Sequence, residues 1–331
     1  MTPPPRSVLG RPPGRRSTSS FVKQSIRSTH RSSALSCVFA AWTDTRPVAT
    51  RLDPRDDTRS YVRMTTLGVP DVARCLLGIL VGRSMAYLFV RRQLKHSDDY
   101  FSTADNVYSI FFHSFITFLA IDASASLSGT SIMDASSAEL RWQGTTRNSN
   151  LYLWLFCIDN VMHMPLQLSK DVPVAKQATV IAHHVLSNLS YATGLRSQRL
   201  HFWATLAGLC EVTNPLLSIV FMMKELGLAD KRSGLWRVFQ FSSLLTWVAF
   251  LVFRLLLFPL WLLLFFYDMA QHPACTDSTS LAERVCYPLA LIAVLLMSVS
   301  WMIPLTQGLI KVLRGEPEAE VASSDSRKKT K

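Results

Sequence analysis

The sequence has very little charge in its long apolar stretches. Residues 285–310 contain no charged side chain at all. Residues 242–267 contain one, Arg254, and residues 200–223 also contain one, Glu211. Because a bilayer core is about 30 Å thick, a spanning helix needs about 20 mostly apolar residues, and each of these stretches is long enough. The shortage of charge therefore excludes a water-soluble globular protein of ordinary composition.

Several chemical signatures are also missing. The sequence contains no Gly-rich phosphate-binding loop, so soluble nucleotide chemistry is not indicated. It lacks paired cysteines at metal-ligand spacing, and Val180 stands where the HxxHH box of a di-iron lipid hydroxylase or desaturase needs histidine. We therefore predict no metal site and no bound cofactor.

Four weaker stretches extend the three clear spans. Residues 177–195, 151–168 and 107–121 are largely apolar, whereas residues 70–90 contain three charges, among them Arg83. Together with a hydrophobic content of 49%, they predict an all-α fold, a multipass transmembrane bundle of about seven helices over residues 67–314.

The net charge of +12 is concentrated at one end of the chain. Residues 1–66 hold 12 Arg and Lys against four Asp, which leaves +4 for the rest, so a nucleic-acid partner is not indicated. In the remainder, basic residues are more frequent in the loops on the side of the carboxyl terminus. The positive-inside rule then predicts a cytosolic carboxyl terminus.

The leader, residues 1–66, is rich in Ser, Arg and Pro and is predicted to be disordered. Residues 1–43 contain seven basic residues, nine serines and no acid, which also fits an organellar transit peptide. An odd number of spans would place this basic leader in the lumen, against the positive-inside rule. A third interpretation is that translation starts at Met64.

The tail, residues 315–331, ends in Lys328-Lys329-Thr330-Lys331. Lysines at the third and fourth positions from the end resemble a dilysine retrieval signal, with Lys328 and Lys329 contacting the cytosolic coat machinery. The resemblance implies residence in the endoplasmic reticulum membrane, and it argues against a seven-helix receptor at the cell surface. The alternative is a simple solvated tail.

Two cysteines flank a predicted lumenal loop. Cys275 and Cys286 would lie in an oxidising compartment and could form a disulfide. Two free thiols are the alternative.

Polar side chains recur at intervals of three and four residues in four of the predicted spans, so that each set lies along one helix face. A charge in a span is costly and is a functional candidate by default. Pro215 also lacks the amide hydrogen that would bond the carbonyl of Glu211. We expect these four polar stripes to face one shared cavity. The stripes are Asn106, Ser109 and His113; Tyr152, Phe156, Asp159 and His163; His184, Asn188 and Tyr191; Glu211, Asn214 and Ser218.

The order of these elements, with the His183-His184 pair and a closing helix that contains Trp301, resembles the TLC domain, named for the TRAM, Lag and CLN proteins. The likeness covers about residues 100–314. It implies an endoplasmic reticulum protein that acts on or senses lipids. The ceramide synthases of the family have a His-Asp in the helix after the His pair, but this chain has Cys210-Glu211 there. It therefore looks closer to the smaller TLC-domain proteins.

Two functions follow from the resemblance. In the first, the protein binds membrane lipid, with a sphingoid base or ceramide as candidate, and adjusts membrane composition. In the second, it is an acyltransferase of ceramide synthase type that uses acyl-CoA as co-substrate. Candidate catalytic residues are His183, His184 and Asp159. Candidate lipid-binding residues are His113, Asn188, Glu211, Asn214 and Arg254.

Overall fold

The computed structural model describes residues 68–93, 100–169 and 174–315. The predicted leader with Met64 and the retrieval lysines Lys328 and Lys329 lie outside these residues. Within them the chain is helical and contains no β-strand, so the all-α prediction is confirmed. The helices are α1 (Val69–Gln93), α2 (Tyr100–Leu127), α3 (Ala135–Gln143), α4 (Arg147–Ser169), α5 (Val174–Ser197), α6 (His201–Glu225), α7 (Trp236–Gln271), α8 (Pro273–Thr276) and α9 (Leu281–Arg314).

Five of the helices in the described part of the chain are long and apolar enough to cross a membrane: α1, α2, α6, α7 and α9. The multipass membrane architecture is therefore confirmed. Helices α4 and α5, with 23 and 24 residues, have the length of a span. Their polar side chains make them less apolar than the other five. The weakest predicted span, residues 70–90, forms the helix α1.

The long helices run alternately up and down. Asn106 near the start of α2 donates to Glu225 at the end of α6, and Ser124 near the end of α2 donates to Thr205 near the start of α6. Gln240 of α7 donates to the carbonyl of Val312 at the end of α9. One end of the bundle therefore carries α3 and α8, and we call it the α3 end. The starts of α2 and α7 lie at the opposite end.

Two of the spanning helices change their winding at mid-length. Helix α6 contains a 3₁₀ turn at Leu209–Val212, followed by Thr213 and then by Asn214-Pro215. Helix α7 contains a π-helical segment at Leu251–Leu256, shortly before Pro259. A proline removes one backbone donor and crowds the preceding turn, so both irregularities lie where the sequence favours them.

Aromatic side chains close the α3 end of the bundle. Trp142 of α3 packs on Trp203 of α6 and on Phe265 of α7, with ring centroids 5.7 and 4.7 Å apart. Trp261 stacks on Phe265 at 4.8 Å, and its indole N–H donates to the carbonyl of Trp203. Burying such large rings stabilises the fold by about 1.5–3 kcal/mol for each side chain. The short amphipathic helix α3 is thereby fixed across the ends of α6 and α7.

A buried ion pair lies beside this aromatic cluster. Arg141 of α3 donates from Nε and Nη2 to the two carboxylate oxygens of Asp268 at 2.7 and 2.6 Å. Its Nη1 donates to the carbonyl of Ser128, and Nη2 also donates to the carbonyl of Ile132. Both side chains are almost completely buried. Because the pairing is bidentate and its other donors are used, the charges are compensated without water.

The two cysteines of the possible disulfide lie on either side of the loop that precedes α9, Cys275 in α8 and Cys286 in the first turns of α9. Cys275 and Cys286 are free thiols in the structure. Burial raises the pKa of the Cys275 thiol, which disfavours its reactive thiolate. Of the two alternatives from the sequence, the structure has the free thiols.

Candidate functional site

The polar stripes of α2 and α6 face each other. Ser218 donates to Ser109 at 2.9 Å, and Nε2 of His113 lies 3.6 Å from Oε2 of Glu211. Nδ1 of the same imidazole lies 3.0 Å from the Ser109 hydroxyl. Asn214 donates to Glu211 at 2.5 Å. The sequence-predicted residues His113, Glu211 and Asn214 therefore share one hydrogen-bonded group.

The stripes of α4 and α5 form a second layer. The hydroxyls of Tyr152 and Tyr191 are 3.3 Å apart, and Asn160 donates to Asn188 at 3.1 Å. On α4 the tyrosine precedes the asparagine by eight residues, and on α5 it follows the asparagine by three, so the two polar faces meet at more than one level of the bundle. Tyr152 also explains why position 208 is a glycine, because a Cβ there would overlap the Tyr152 hydroxyl.

The carboxylate of Asp159 is held by residues from two other helices. Arg83 of α1 donates to it at 2.8 Å, and Tyr108 of α2 donates to the same oxygen at 2.9 Å. Arg83 also donates to Asp105 at 2.9 Å. The guanidinium carbon lies 4.2 Å from the centroid of the Tyr108 ring. Asp159 is therefore part of an ion-paired junction between α1, α2 and α4.

Three histidines lie next to this junction. The ring of His184 is 5.9 Å from that of His163 and 5.6 Å from that of His183. His183 in turn packs edge-on against Trp301 of α9 at 5.5 Å. Among the described residues, Nδ1 of His183 and Nδ1 of His184 have no hydrogen-bond partner although both atoms are buried. Such atoms are uncommon in folded proteins and point to a missing contact.

Among the described residues, no direct hydrogen bond joins the two candidate catalytic residues Asp159 and His184. The two side chains are connected instead through other residues: His163 Nδ1 lies 3.9 Å from Asp105, which shares Arg83 with Asp159. The Oδ1 atom of Asp159 accepts from Arg83 and from Tyr108 instead. His184 and Asp159 thus lie in one polar layer but have different partners.

Arg254 lies in the π-helical segment of α7 and is 4% exposed. Its Nε donates to Thr213 at 3.1 Å, and the Thr213 hydroxyl donates to the carbonyl of Cys210. Its guanidinium lies over the rings of Phe250 and Trp301, at 5.2 and 5.8 Å from the centroids. Nη1 is buried and has no hydrogen-bond partner among the described residues. The irregular turns of α6 and α7 therefore meet at this arginine.

A small cavity of about 50 Å³ is lined by His183, Cys210 and Glu211 but not by Arg254. Its other polar lining residues are Ser187, Ser190, Tyr191 and Tyr287. Most of its wall is apolar. The apolar lining residues are Phe156, Leu186, Trp203, Ala204, Ala207, Phe258, Trp261, Leu291 and Val294.

A much larger apolar groove, of about 920 Å³, lies between α1, α2 and α4. Gly78 and Gly82 line its α1 wall, Phe111 and Phe115 line its α2 wall, and Tyr108 also borders it. The Tyr108 hydroxyl is bonded to Asp159. The groove and the ion-paired junction are therefore in contact through one side chain.

Among the described residues, no cluster of three or more His, Cys, Asp or Glu could hold a metal ion. The site is thus built from hydrogen bonds, ion pairs and aromatic rings. The described side chains supply groups for proton transfer, electrostatic recognition and apolar binding.

Three residues of the site escaped the sequence reasoning: Arg83, Asp105 and Tyr108. Arg83 counted there only as a weakness of the first span. The signal was nevertheless present, since a charge in a predicted span is a functional candidate whichever span it belongs to. Asp105 and Tyr108 flank the α2 stripe, one residue away from Asn106 and Ser109.

Comparison with known proteins adds one match. A family model, described as the TLC domain, matches residues 102–307. That range covers the helices α2 to α9 almost completely and includes the polar stripes, the histidines and Arg254. No curated protein and no solved structure matches the chain.

Proposed function

The chain belongs to the TLC-domain family, and on that premise we propose that it binds a membrane lipid in the polar interior of its bundle. Through this binding it adjusts the lipid composition of the membrane in which it resides. The lipid is the principal partner, with a sphingoid base or ceramide as the candidate that the family favours.

The observation that carries the proposal is the set of unsatisfied polar atoms inside the bundle. His183, His184 and Arg254 each have a buried nitrogen without a partner among the described residues. A buried polar group without a hydrogen bond costs about 1–3 kcal/mol. A lipid head group with acceptor oxygens would remove that cost, and an acyl chain would suit the apolar wall of the cavity.

The proposal is tested by purifying the full chain in detergent and identifying the co-purifying lipids by mass spectrometry. We expect one lipid class to be enriched over the membrane extract. His184→Ala should reduce that enrichment, whereas the exposed Arg237→Gln on α7 should not. The proposal would be contradicted if the lipids that co-purify with the unchanged chain and with both variants had the same proportions as the membrane extract.

A second function, N-acyl transfer from acyl-CoA to a sphingoid base, is favoured by His184. An imidazole nitrogen without a partner can accept a proton. In that reaction the amine nitrogen attacks the thioester carbonyl, the C–N bond forms and the C–S bond breaks. His184 takes the proton from the amine and returns it to the departing thiolate, so no other reactant is needed.

The two functions differ in turnover. Purified protein supplied with acyl-CoA and a sphingoid base should form no ceramide if it only binds lipid. Ceramide formation that disappears in His184→Ala would establish the enzyme. His183→Ala is the matched comparison, because the two imidazoles are neighbours and only one of them would act as the base.

We further propose residence in the endoplasmic reticulum with a cytosolic carboxyl terminus. Support comes from the basic residues in the last turns of the helices α1, α6 and α9: Arg91, Arg92, Lys224, Lys311 and Arg314. These turns lie at the end opposite α3, so the positive-inside rule orients the bundle. Replacing Lys328 and Lys329 by Ser should release the protein from the endoplasmic reticulum, and unchanged localisation would reduce the motif to a solvated tail.

A further inference from the structure

We propose that the large groove between α1, α2 and α4 binds one acyl chain of a membrane glycerophospholipid, with the phosphate of that lipid at Arg74. The groove has a volume of about 920 Å³ and has this arginine at one end. The site is separate from the polar interior to which the proposed function assigns a lipid, and none of the histidines lines it.

The groove lies in the membrane-spanning part of the bundle. Its walls come from α1 and α2, which are both spanning helices, and from the first half of α4. Water is absent from this depth of a bilayer, so the hydrocarbon of the membrane covers an apolar surface there. Five apolar side chains of the lining are between 49% and 73% exposed: Val81, Met85, Phe89, Phe111 and Phe115.

Two glycines of α1 shape the groove. Gly82 packs against α2, because a Cβ at this position would lie 3.3 Å from the ring of Tyr108. One turn earlier, Gly78 has open space around it, since an added Cβ would meet no atom within 4 Å. The helices are therefore in close contact at Gly82, and the missing side chain at Gly78 widens the groove beside that contact.

The same glycines form a Gly-x-x-x-Gly pattern, which in membrane proteins often brings two helices together. A second copy of α1 is therefore the competing occupant. In this chain, however, Gly82 is already covered by Tyr108, so Gly78 is the member of the pattern that stays open. Close approach of a helix about 10 Å in diameter needs small residues along the whole contact. A flexible acyl chain needs only the open part, so the groove favours lipid.

The length of the groove matches an acyl chain. Its lining on α1 extends from Arg74 to Phe89, which is about 22 Å along a helix axis. Half of the hydrocarbon core of a bilayer is about 15 Å thick, so a chain of one leaflet fits over its whole length. The volume also lies in the range of about 300–1,000 Å³ that is typical of ligand sites.

Arg74 lies where a lipid phosphate would be. Tyr87 stacks on Phe101 near the start of α2, so α1 ends there and its own start, with Arg74, lies at the α3 end. The side chain of Arg74 is 77% exposed, and its Nη1 is paired with Asp71 at 2.8 Å. An exposed pair of this kind is weak, and the guanidinium has further N–H donors. Because a long basic side chain near a helix end extends towards the head groups, a phosphate complements Arg74 in charge and in position.

The experiment is native mass spectrometry of the full-length protein in detergent, titrated with dioleoyl phosphatidylglycerol. We expect one phospholipid to bind to each chain before any further lipid does. Dioleoylglycerol, which has the same two chains without the phosphate, should bind about two- to fivefold more weakly, because an exposed ion pair contributes about that factor. Equal affinities would overturn the assignment of the phosphate to Arg74, and no binding of either lipid would overturn the whole proposal.

The variants locate the lipid. Gly78→Leu fills the open part of the groove and should lower the affinity for phosphatidylglycerol about 5- to 30-fold, because roughly ten carbon–carbon contacts are lost and each contributes a factor of about 1.2–1.4. Gly308→Leu is the matched control, because Gly308 also has open space around it in a spanning helix but does not line the groove. Arg74→Gln should lower the affinity for phosphatidylglycerol about two- to fivefold and leave that for dioleoylglycerol unchanged. Unchanged phospholipid affinity in Gly78→Leu would overturn the proposal.

The same spectra test the competing occupant, because they also report the number of protein chains. A lipid-free dimer that is lost in Gly78→Leu and kept in Gly308→Leu would replace the lipid by a second copy of the chain. Thermal unfolding shows whether each variant is folded. Phosphatidylglycerol should raise the unfolding temperature of the unchanged protein and of Gly308→Leu more than that of Gly78→Leu.

The groove and the interior site can be tested independently. His184→Ala should leave the affinity for phosphatidylglycerol unchanged, since His184 does not line the groove. Loss of phospholipid in His184→Ala with normal binding in Gly78→Leu would place that lipid in the interior, and the groove proposal would be wrong. Normal binding in His184→Ala with loss in Gly78→Leu supports the groove, whether or not the interior holds a lipid of its own.

Discussion

Two arginines are buried in this bundle, and they have opposite surroundings. Arg141 at the α3 end shares two hydrogen bonds with Asp268 and donates to two backbone carbonyls. Arg254, on the same helix as Asp268, has one threonine hydroxyl and two aromatic rings. Both are more than nine-tenths buried. Among the described residues, the first charge has an ionic partner and the second has none.

The comparison separates charge that supports the fold from charge that is available to a ligand. Removing one partner of a buried pair leaves the other charge unpaired, which is strongly destabilising. Removing a buried charge that has no ionic partner costs far less. The same substitution should therefore have different effects on the free energy of unfolding at the two positions.

The largest effect is expected at Arg141. Arg141→Leu should lower the free energy of unfolding by about 3–5 kcal/mol, because Asp268 stays buried without a counter-ion. The measurement is thermal or denaturant unfolding in detergent, followed by tryptophan fluorescence. The double variant Arg141→Leu with Asp268→Leu should recover part of the loss. A single variant as stable as the unchanged protein would show that the pair does not hold α3.

Arg83 is an intermediate case between the two arginines. Arg83→Leu should cost about 1.5–3 kcal/mol, since hydrogen bonds to charged groups contribute about that much. Asp159 keeps its bond to Tyr108, and the Arg83 side chain is partly exposed, which limits the loss. The measurement is the same unfolding experiment. Arg74→Leu is the control, because its ion pair with Asp71 is exposed on the same helix. Equal stability of the two variants would argue against a structural role of the junction.

A steric variant gives a loss of stability with which the losses in Arg141→Leu and Arg83→Leu can be compared. Gly208→Ala places a methyl group on the Tyr152 hydroxyl, and such overpacking costs about 1–3 kcal/mol. Adding Tyr152→Phe removes the oxygen and should restore part of the stability. If Gly208→Ala alone is neutral, α4 and α6 move apart more easily than their contacts indicate.

The smallest change in stability, about 1 kcal/mol or less, is expected when Arg254 receives the partner that it lacks. Thr213→Asp places a carboxylate next to Nε of Arg254 and makes this arginine resemble Arg141. The variant should fold with nearly unchanged stability, because the new carboxylate and the guanidinium compensate each other. Thr213→Asn, which has the same shape without the charge, is the control in the same unfolding experiment. A large loss of stability in Thr213→Asp with Thr213→Asn unchanged would contradict the interpretation that Arg254 is a cation without an ionic partner.

The helix faces were predictable from spacing alone. Intervals of three and four residues put Ser109 with His113 and Asn214 with Ser218 on single faces, and the structure brings these faces together. The break of α6 was also predictable, since Pro215 removes a backbone donor. Such features depend on a few neighbouring residues, so local sequence contains the information.

The partner of each face was not predictable in the same way. Arg83 binds Asp159, which is 76 residues away in the sequence. The periodicity of a helix shows which of its faces is polar, but it does not show which other helix packs against that face. The π-helical segment of α7 was not predicted either. Its Arg254 contacts Thr213 of α6, and such a contact between helices is not visible in the sequence of either helix.

The π-helical segment also determines the phase of helix α7. Its buried side chains Thr246, Phe250, Arg254 and Phe258 follow one another at steps of four residues. In a regular α-helix each such step turns the buried line by about 40°, so three of them would rotate it by about 120°. The wider turn at Leu251–Leu256 absorbs this rotation. As a result, Arg254 stays in line with Thr246 and Phe250, the buried residues that precede it on the same helix.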